Sequence, residues 1–573
     1  MEPERSPKLG LALSGGGHRA ALFHIGVLAR LAELDRLRDV QVISTVSGGS
    51  VVGTLYYLLL RHQLQTVRDR LMTREVYLEI VRDLERRYRS AVATSFRGRA
   101  LARLRVVCML WPTYSRTNLI ATVFEERLYR KVLGARGPVH MSDLLVKPMD
   151  NEGRQPSTFD PGKENVHRNA PVPILVLNST ALNTGHSFRF EAEYVGEPEA
   201  RQPLELDADK NTRLIRVPYE LLPKKVRKRF TLGFAVSASA AFPVGFAPLA
   251  IGGMYGAEPD GRERRFLVRL TDGGVRDNQG VDGLLDHHCT ELIVSDGSSQ
   301  TPDLSEPAGT IVGVLPRVGA IEGKQSREQR LYHADADREI TSFSFVHLQT
   351  GIAPETLDPL GTSEDAADYR DTFGPPPATT GIDAGTQRLI AGIRTDLDAF
   401  SETECFALEE LGYRAARAVL PDTGVAPEPW PFSAIGPALV SGDEWLERRL
   451  RVASKKFFKP LFLLLEAWRI RRGIRVAAAA VLAVAALAAL AWVGFRIGGG
   501  VSAQALYGVL VGLAAAAALY LNAGTHGLRL LSRILLGTVP YLPLIPLLFV
   551  AGVAMRFVGW IHVRTGRVRA RPG

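Results

Sequence analysis

Residues 11–53, LALSGGGHRAALFHIGVLARLAELDRLRDVQVISTVSGGSVVG, constrain this chain more than any other stretch. A short apolar run breaks at Ser14-Gly15-Gly16-Gly17, after which Ala21, Leu22, Ile25, Leu28 and Ala29 recur at helical spacing. Residues 40–43 predict a second buried strand, and residues 51–60 predict an apolar helix inside the protein. Ser47-Gly48-Gly49 makes the tight turn between them. Such a unit opens two helix N-termini on one edge of a sheet. One presents the backbone N–H groups of Gly15 to Gly17, and the other presents Ser47. The stretch predicts a nucleophile beside an anion cradle.

Two chemistries compete for that cradle. Gly15-Gly16-Gly17-His18-Arg19-Ala20 satisfies the G-x-G-x-x-A dinucleotide fingerprint. That site needs an acid at the end of the second strand to hold a ribose, but the strand ends Thr45-Val46-Ser47 and Asp39 lies at its start. The other chemistry is acyl transfer. A serine on a sharp strand-to-helix turn exposes its oxygen, and the amide after it, that of Gly48, is an oxyanion donor. Thr45 stands where G-x-S-x-G has its first glycine, and an ordinary N-cap serine is the alternative. Asp272, in the strand-ending Thr271-Asp272-Gly273-Gly274, is the candidate base, against the alternative of a simple Asp-Gly turn. An unperturbed aspartate has a pKa of about 3.9, so such a base must be desolvated or tightly hydrogen-bonded. His287 and His288 follow it, which offers the Ser, Asp, His order of a triad. They fall at the end of a predicted helix, where a C-terminal role accounts for them. Asp286-His287-His288-Cys289 also spells the tetrad of membrane S-acyltransferases, but Cys108, Cys289 and Cys405 cannot build that class's cysteine-rich zinc region.

Around this unit the chain reads as mixed α/β. Residues 61–135 are arginine-rich with apolar positions at helical steps, which predicts a helical insertion. Its run VVCMLW, 106–111, reads as a packed helix or as a lid touching membrane. Residues 147–171 form a polar loop, and 172–182 and 187–193 a hairpin through Asn183-Thr184-Gly185. Residues 232–242 predict a helix; 266–270, 292–295 and 310–315 predict strands; 325–345 and 386–419 predict helices. The widely spaced cysteines exclude a disulfide frame and fit a reducing compartment. The start, MEPERSPKLG, has no apolar run and predicts no cleaved secretory signal.

The last fifth changes character. Residues 476–495 and 501–521 are uncharged apolar runs, each long enough at about 1.5 Å per residue to cross about 30 Å of hydrocarbon. A third run, 534–555, carries Pro540, Pro543 and Pro546. Lys455, Lys456, Lys459, Arg469, Arg471, Arg472 and Arg475 precede the first run, and Arg496 alone lies between the first two. The positive-inside rule then predicts a multi-pass integral membrane protein with its catalytic domain cytoplasmic and the third run a proline-broken re-entrant or interfacial hairpin. The net charge of +10, concentrated at 61–105, 222–229, 451–475 and the C-terminus, suits an anionic surface.

GGGHR after the first strand, VSGGS after the second and DGG after a late strand, in this order, resemble the patatin-like phospholipase family over roughly residues 8–300. SASAAFPVGFAPL, 237–249, is similar to the family's A-S-x-A-x-P-x-x-F segment. The resemblance implies a three-layer patatin-like sheet flanked by helices over 1–435, with the insertion and loop at 61–170. A basic juxtamembrane linker at 436–475 and a helical transmembrane region at 476–573 follow. It also implies a catalytic dyad without histidine, in which Ser47 is acylated and Asp272 is the base. By the same resemblance Gly15, Gly16, Gly17 and Arg19 would line the oxyanion hole, beside the Gly48 amide read from the turn itself. Ala20 after Arg19 and Asp277-Asn278-Gln279 after D-G-G depart from the family's pattern, as Thr45 does. The expectation is a membrane-anchored serine acyl hydrolase of lipid esters, with an anionic lipid surface as partner, no nucleic acid, no metal and no cofactor. The alternative is a catalytically silent membrane scaffold with the same fold, for which Thr45 is the support.

Overall fold

Alternation along the strands explains the layering. In β1 (Leu9–Leu13), Leu9, Leu11 and Leu13 point into one apolar cluster while Ala12 points into another. β2 (Val40–Val46) and β3 (Ile174–Ala181) repeat this with Ile43 against Val42 and with Leu175 and Leu177 against Val176. Side chains two apart share a face, so each strand feeds two cores. The structure is a computed structural model. It describes residues 7–101, 114–199, 212–243, 245–256, 266–298, 311–353, 379–421, 424–454 and 544–566, with a few isolated positions between 301 and 309.

The remaining strands are β4 (Ser187–Phe190), β5 (Tyr194–Gly196), β6 (Val217–Pro218), β7 (Leu249–Gly252), β8 (Leu267–Asp272), β9 (Glu291–Asp296) and β10 (Ser342–His347). The sheet runs β10-β9-β1-β2-β3-β4-β5-β6, with β8 also on β3 and β7 on β8. From β10 to β3 all neighbours are parallel, so their carboxyl ends share one edge. The hairpin predicted at 172–193 is β3 with β4.

One face carries α1 (Gly17–Glu33), α2 (Gly48–Thr66), α3 (Arg74–Val92) and the helix Glu402–Val419. Every residue of α1 from His18 to Glu33 is buried, which makes it the central helix of the protein. The other face is covered by the helix Val281–Asp286 and by Ala334 of the helix Ile311–Ala336. This is the three-layer α/β arrangement expected for parallel strands buried on both sides.

Two sequence readings change. The strand expected at 310–315 is the start of the helix Ile311–Ala336, and the helix expected over 325–345 ends at Ala336. Ser342–His347, with Phe343 and Phe345 packed on the outer core, is instead the strand beside β9. A short β-branched run fits a buried strand or a buried helix equally, and here the edge it would have filled belongs to β10.

The insertion is helical: α3, α4 (Phe96–Leu101) and the helix Arg116–Phe124. α3 buries Tyr77, Leu78, Ile80, Val81, Leu84 and Tyr88. Its arginines are largely paired: Arg86 and Arg87 with Asp83, Arg82 with Glu79 and Glu428, and Arg89 with Glu85 and Glu402. The run 106–111 lies outside the described residues. At the other end the helix Glu444–Ala453 buries Leu446, Leu450, Val452 and Ala453, so packed structure continues into the stretch read as a linker.

The apolar runs 476–495 and 501–521, and residues 534–543 of the third, lie outside the described residues. The rest of the third run belongs to the helix Leu544–Thr565. Among the described residues no helix is long and apolar enough to cross a membrane. The end of this helix is held against the body: His562 Nε2 lies 2.7 Å from Glu404 Oε2, and Thr403 donates its N–H to the Gly566 carbonyl at 3.1 Å.

Candidate active site

β3 brings the site together. Its edge pairs with β2 as far as Val46 opposite Asn178, and β8 takes over at the next position, with Asp272 opposite Ser179. The chain therefore leaves the sheet at Ser47 where Asp272 arrives, although 225 positions separate them in sequence (272 − 47 = 225).

Ser47 is held at φ 50° and ψ −113°, with α2 starting at the next residue. A non-glycine residue in such a conformation costs on the order of 1–3 kcal/mol and persists only where its surroundings impose it. The Ser47 N–H donates to Ser239 Oγ at 3.0 Å, and its carbonyl accepts from Val51 N at 3.1 Å. This is the sharp turn that lifts a nucleophile out of a sheet.

Asp272 is buried, with its Oδ1 accepting the Gly274 N–H at 2.7 Å and its carboxyl near enough to Ser47 for that side chain to favour its charged form. Burial pushes its pKa up to about 7, while the Gly274 N–H and the nearby Ser47 side chain pull it partly back. Desolvation disfavours the charged form, so this carboxylate holds a proton far more readily than an exposed one. Near neutral pH it can both accept a proton and return it.

The glycine loop lies against the elbow. Gly16 and Gly17 have φ of 139° and 61°, which favour glycine. A Cβ on Gly48 would sit 2.1 Å from the Gly17 carbonyl oxygen, so the two backbones touch. Among the described residues no acceptor takes the N–H groups of Gly16, Gly17 or Gly48. Free N–H groups at two helix starts are suited to developing negative charge. Gly15 stands in the same loop with its N–H donated to the Asn278 carbonyl at 2.9 Å. Arg19 is buried. Its guanidinium donates to the carbonyls of Gly297 at 3.2 Å and of Ala391 and Ile393 at 3.0 Å each, tying the loop to the end of β9 and to residues 391–396. Burial lowers its pKa to about 10.

Three further residues brace the loop that the sequence motifs did not single out. Asn278 Oδ1 would lie 2.4 Å from a Cβ on Gly15 and equally from one on Gly274, so its side chain fills the gap between glycine loop and aspartate turn. His24, from α1, bonds Ser295 Oγ at 2.7 Å and the Ser14 carbonyl at 3.0 Å, and burial lowers its pKa to about 4. His18 Nδ1 meets the Tyr88 hydroxyl at 2.8 Å, with its pKa lowered to about 3 by burial. Both rings are neutral at physiological pH and act as fasteners. Only Asn278 left a trace in the sequence, as the departure after D-G-G.

His287 is placed elsewhere. Its Nε2 lies 3.3 Å from Glu191 Oε1, beyond the C-terminus of the helix Val281–Asp286, and neither it nor His288 hydrogen-bonds Ser47 or Asp272. Asp39 sits in the 3-10 turn Leu37–Asp39 at the start of β2, the end far from the glycine loop. Among the described residues no group of three or more His, Cys, Asp or Glu side chains could hold a metal.

Residues 11–285 match the family model described as patatin-like phospholipase. No similar sequence was found among curated proteins. Among solved structures, human GIVD cytosolic phospholipase A2 is similar at 13% identity and a TM-score of 0.39, over 73% of this chain and 60% of that one. Its complex with methyl gamma-linolenyl fluorophosphonate gives 14% identity and a TM-score of 0.33, over 73% and 58%. VipD from Legionella pneumophila gives 12% identity and a TM-score of 0.21, over 99% and 93%. The chain thus spans 60% of the length of the human enzyme. These structural likenesses are faint and add nothing to the sequence match, which coincides with the glycine loop, the elbow and the aspartate turn. The chain carries a patatin-like phospholipase domain over residues 11–285.

Proposed function

We propose that the protein is a membrane-anchored serine acyl hydrolase that cleaves ester bonds of phospholipids or related lipids through a Ser47/Asp272 dyad. The observation that carries this reading is that β3 pairs with Val46 at Asn178 and with Asp272 at the next residue, which sets the Ser47 turn beside a buried carboxyl. In the first half-reaction Asp272 accepts the hydroxyl proton as Ser47 Oγ attacks the ester carbonyl carbon. The N–H groups of Gly16, Gly17 and Gly48 hold the resulting oxyanion. Collapse breaks the bond to the alcohol, which leaves with the proton from Asp272. A water molecule then gives its proton to Asp272 and attacks the acyl-serine, and the fatty acid is released as the proton returns to Ser47. Gly15 and Arg19 hold the loop in which those amides sit.

Lipid as substrate is supported by the exposed side chains of Phe242 and Val275, which follow the two segments meeting at Asp272. The Asp272 N–H itself donates to the Ala241 carbonyl at 3.1 Å. Anchoring, a cytoplasmic catalytic domain and an anionic surface rest on the apolar runs 476–495 and 501–521 and the basic residues before them. The arginines of α3 add less to such a surface, because acids on the same body pair them. Fatty acid release by the purified chain from vesicles of phosphatidylcholine, phosphatidylserine, lysophospholipid or diacylglycerol tests the reading. Release from at least one lipid, lost by about 1,000-fold or more in Ser47→Ala, is expected. No release from any of them, or equal release by the variant, overturns it.

A further inference from the structure

Thr45, the departure in the elbow, is built into the fold. It is buried on β2, and its γ-methyl occupies room left by Gly53: a Cβ there would lie 2.7 Å from Thr45 Cγ2. Its Oγ1 lies 3.1 Å from the Val176 carbonyl oxygen and 2.9 Å from Ser50 Oγ. Ser50 Oγ is 2.8 Å from Ser239 Oγ, and Ser239 Oγ accepts the Ser47 N–H at 3.0 Å.

The direction of this chain follows from its ends. A carbonyl only accepts, so Thr45 gives its proton to Val176. Ser50 must then donate to Thr45, and Ser239 to Ser50, which leaves Ser239 Oγ as the acceptor for Ser47 N–H. Each hydroxyl donates once and accepts from its neighbour, and bonds aligned in this way reinforce one another in a dry interior.

We propose that Thr45, Ser50 and Ser239 are positioning residues: a one-way buried hydroxyl relay that holds the Ser47 backbone at its left-handed φ and so fixes its Oγ and the following Gly48 amide. The relay is anchored on β3 through Val176 and reaches the end of the helix Leu232–Ser239, so it joins the three elements that meet at the site. Thr45 replaces the conformational freedom of a glycine with a hydroxyl that Ser239 and Ser50 need in order to stay oriented. Without it Ser50 loses its acceptor, and its proton competes for Ser239 Oγ with the Ser47 N–H. Strain at Ser47 is then no longer opposed from that side.

This inference rests on Ser47 being the nucleophile, and its test separates the two. The full-length chain, its Thr45→Val, Thr45→Ser and Ser239→Ala variants and the Thr45→Val/Ser239→Ala double variant are assayed on p-nitrophenyl butyrate for kcat and KM. Hydrogen–deuterium exchange of the peptide spanning residues 44–50 is followed in the same samples. Thr45→Val, which keeps the shape and removes the hydroxyl, lowers kcat by about tenfold or more with KM unchanged, as misplacement of a reacting group does. Thr45→Ser, which keeps the hydroxyl, restores kcat to within about threefold. Ser239→Ala shows the same loss, and adding Thr45→Val to it costs nothing more, because one relay is broken once. Exchange is faster in Thr45→Val than in Thr45→Ser. If Thr45→Val is as active and as protected as Thr45→Ser, if Thr45→Ser is as impaired as Thr45→Val, or if the losses multiply, the relay is wrong. Ser239→Ala reads the relay from its other end should Thr45→Val not fold. A wild-type chain without any hydrolysis overturns the nucleophile instead, and the exchange comparison still judges the relay.

Discussion

Two strands of the sheet end at the same edge in an aspartate followed by a glycine, and the surroundings of the two aspartates differ. β8 ends in Asp272-Gly273 and β9 in Asp296-Gly297, and both aspartates are buried. Each accepts the N–H two residues on, from Gly274 at 2.7 Å and Ser298 at 2.8 Å. The remaining surroundings separate them. Asp296 also accepts from Gln279 Nε2 at 3.2 Å and lies 4.0 Å from Arg327 Nη1. Asp272 meets the Ser47 hydroxyl and, among the described residues, no cation. A carboxylate with a cation and spare donors is suited to fasten, whereas one left dry beside a hydroxyl is suited to act as a base.

The largest effect that can break this contrast is on rate. Asp272→Asn is expected to lower fatty acid release by about 1,000-fold, within the range of a lost general base, while Asp296→Asn stays within about tenfold of wild type. Comparable losses in the two variants would erase the distinction. Next is the pH profile. The base works deprotonated, so kcat/KM should rise with pH through an inflection near 7, the value to which burial pushes Asp272. An inflection near 4 would mean that the carboxylate is hydrated in solution.

A smaller effect is on stability, with opposite signs for the two residues. Asp272 holds its proton more tightly folded than unfolded, so the stability it contributes is present below about pH 4 and lost as pH rises through about 7. Asp272→Asn removes that loss and should melt a few degrees above wild type at pH 8 but not at pH 4. Asp296→Asn takes the charge away from Arg327 and should melt a few degrees lower at pH 8. Differential scanning calorimetry at both pH values reads the two signs, and equal signs at pH 8 count against the contrast. Smallest of all, His287→Ala and His288→Ala should leave release within about twofold of wild type, since neither ring bonds the dyad. A collapse of activity in either would restore the triad.

The parts of the site legible in the sequence are those whose backbone needs are local. Gly16 and Gly17 with positive φ, Gly48 in contact with Gly17, and the Asp272 turn each leave a signature within a few residues. Strands β1 and β2 around them are short apolar runs that end at the turns, and β8 alternates exposed and buried positions before Asp272. What stayed hidden is carried by long-range pairing. β3 serves β2 and then β8 along one edge, and no spacing within residues 174–181 announces it. Ser50 and Ser239 look like any helical serine until the fold brings them within 2.8 Å of each other. Thr45 reads only as a departure from the elbow pattern, because the residue that makes room for it, Gly53, lies further on inside α2. Strand β10 was lost to a helical reading of 325–345, because a single Phe-Ser-Phe alternation at a sheet edge is too short to stand out.

The most direct measurement is peptide mass spectrometry of the full-length chain after reaction with a fluorophosphonate. A single adduct on Ser47 is expected, formed in wild type and reduced by at least about 100-fold in rate in Asp272→Asn. No adduct, an adduct on another residue, or equal labelling of Ser47 in Asp272→Asn would contradict a Ser47/Asp272 dyad.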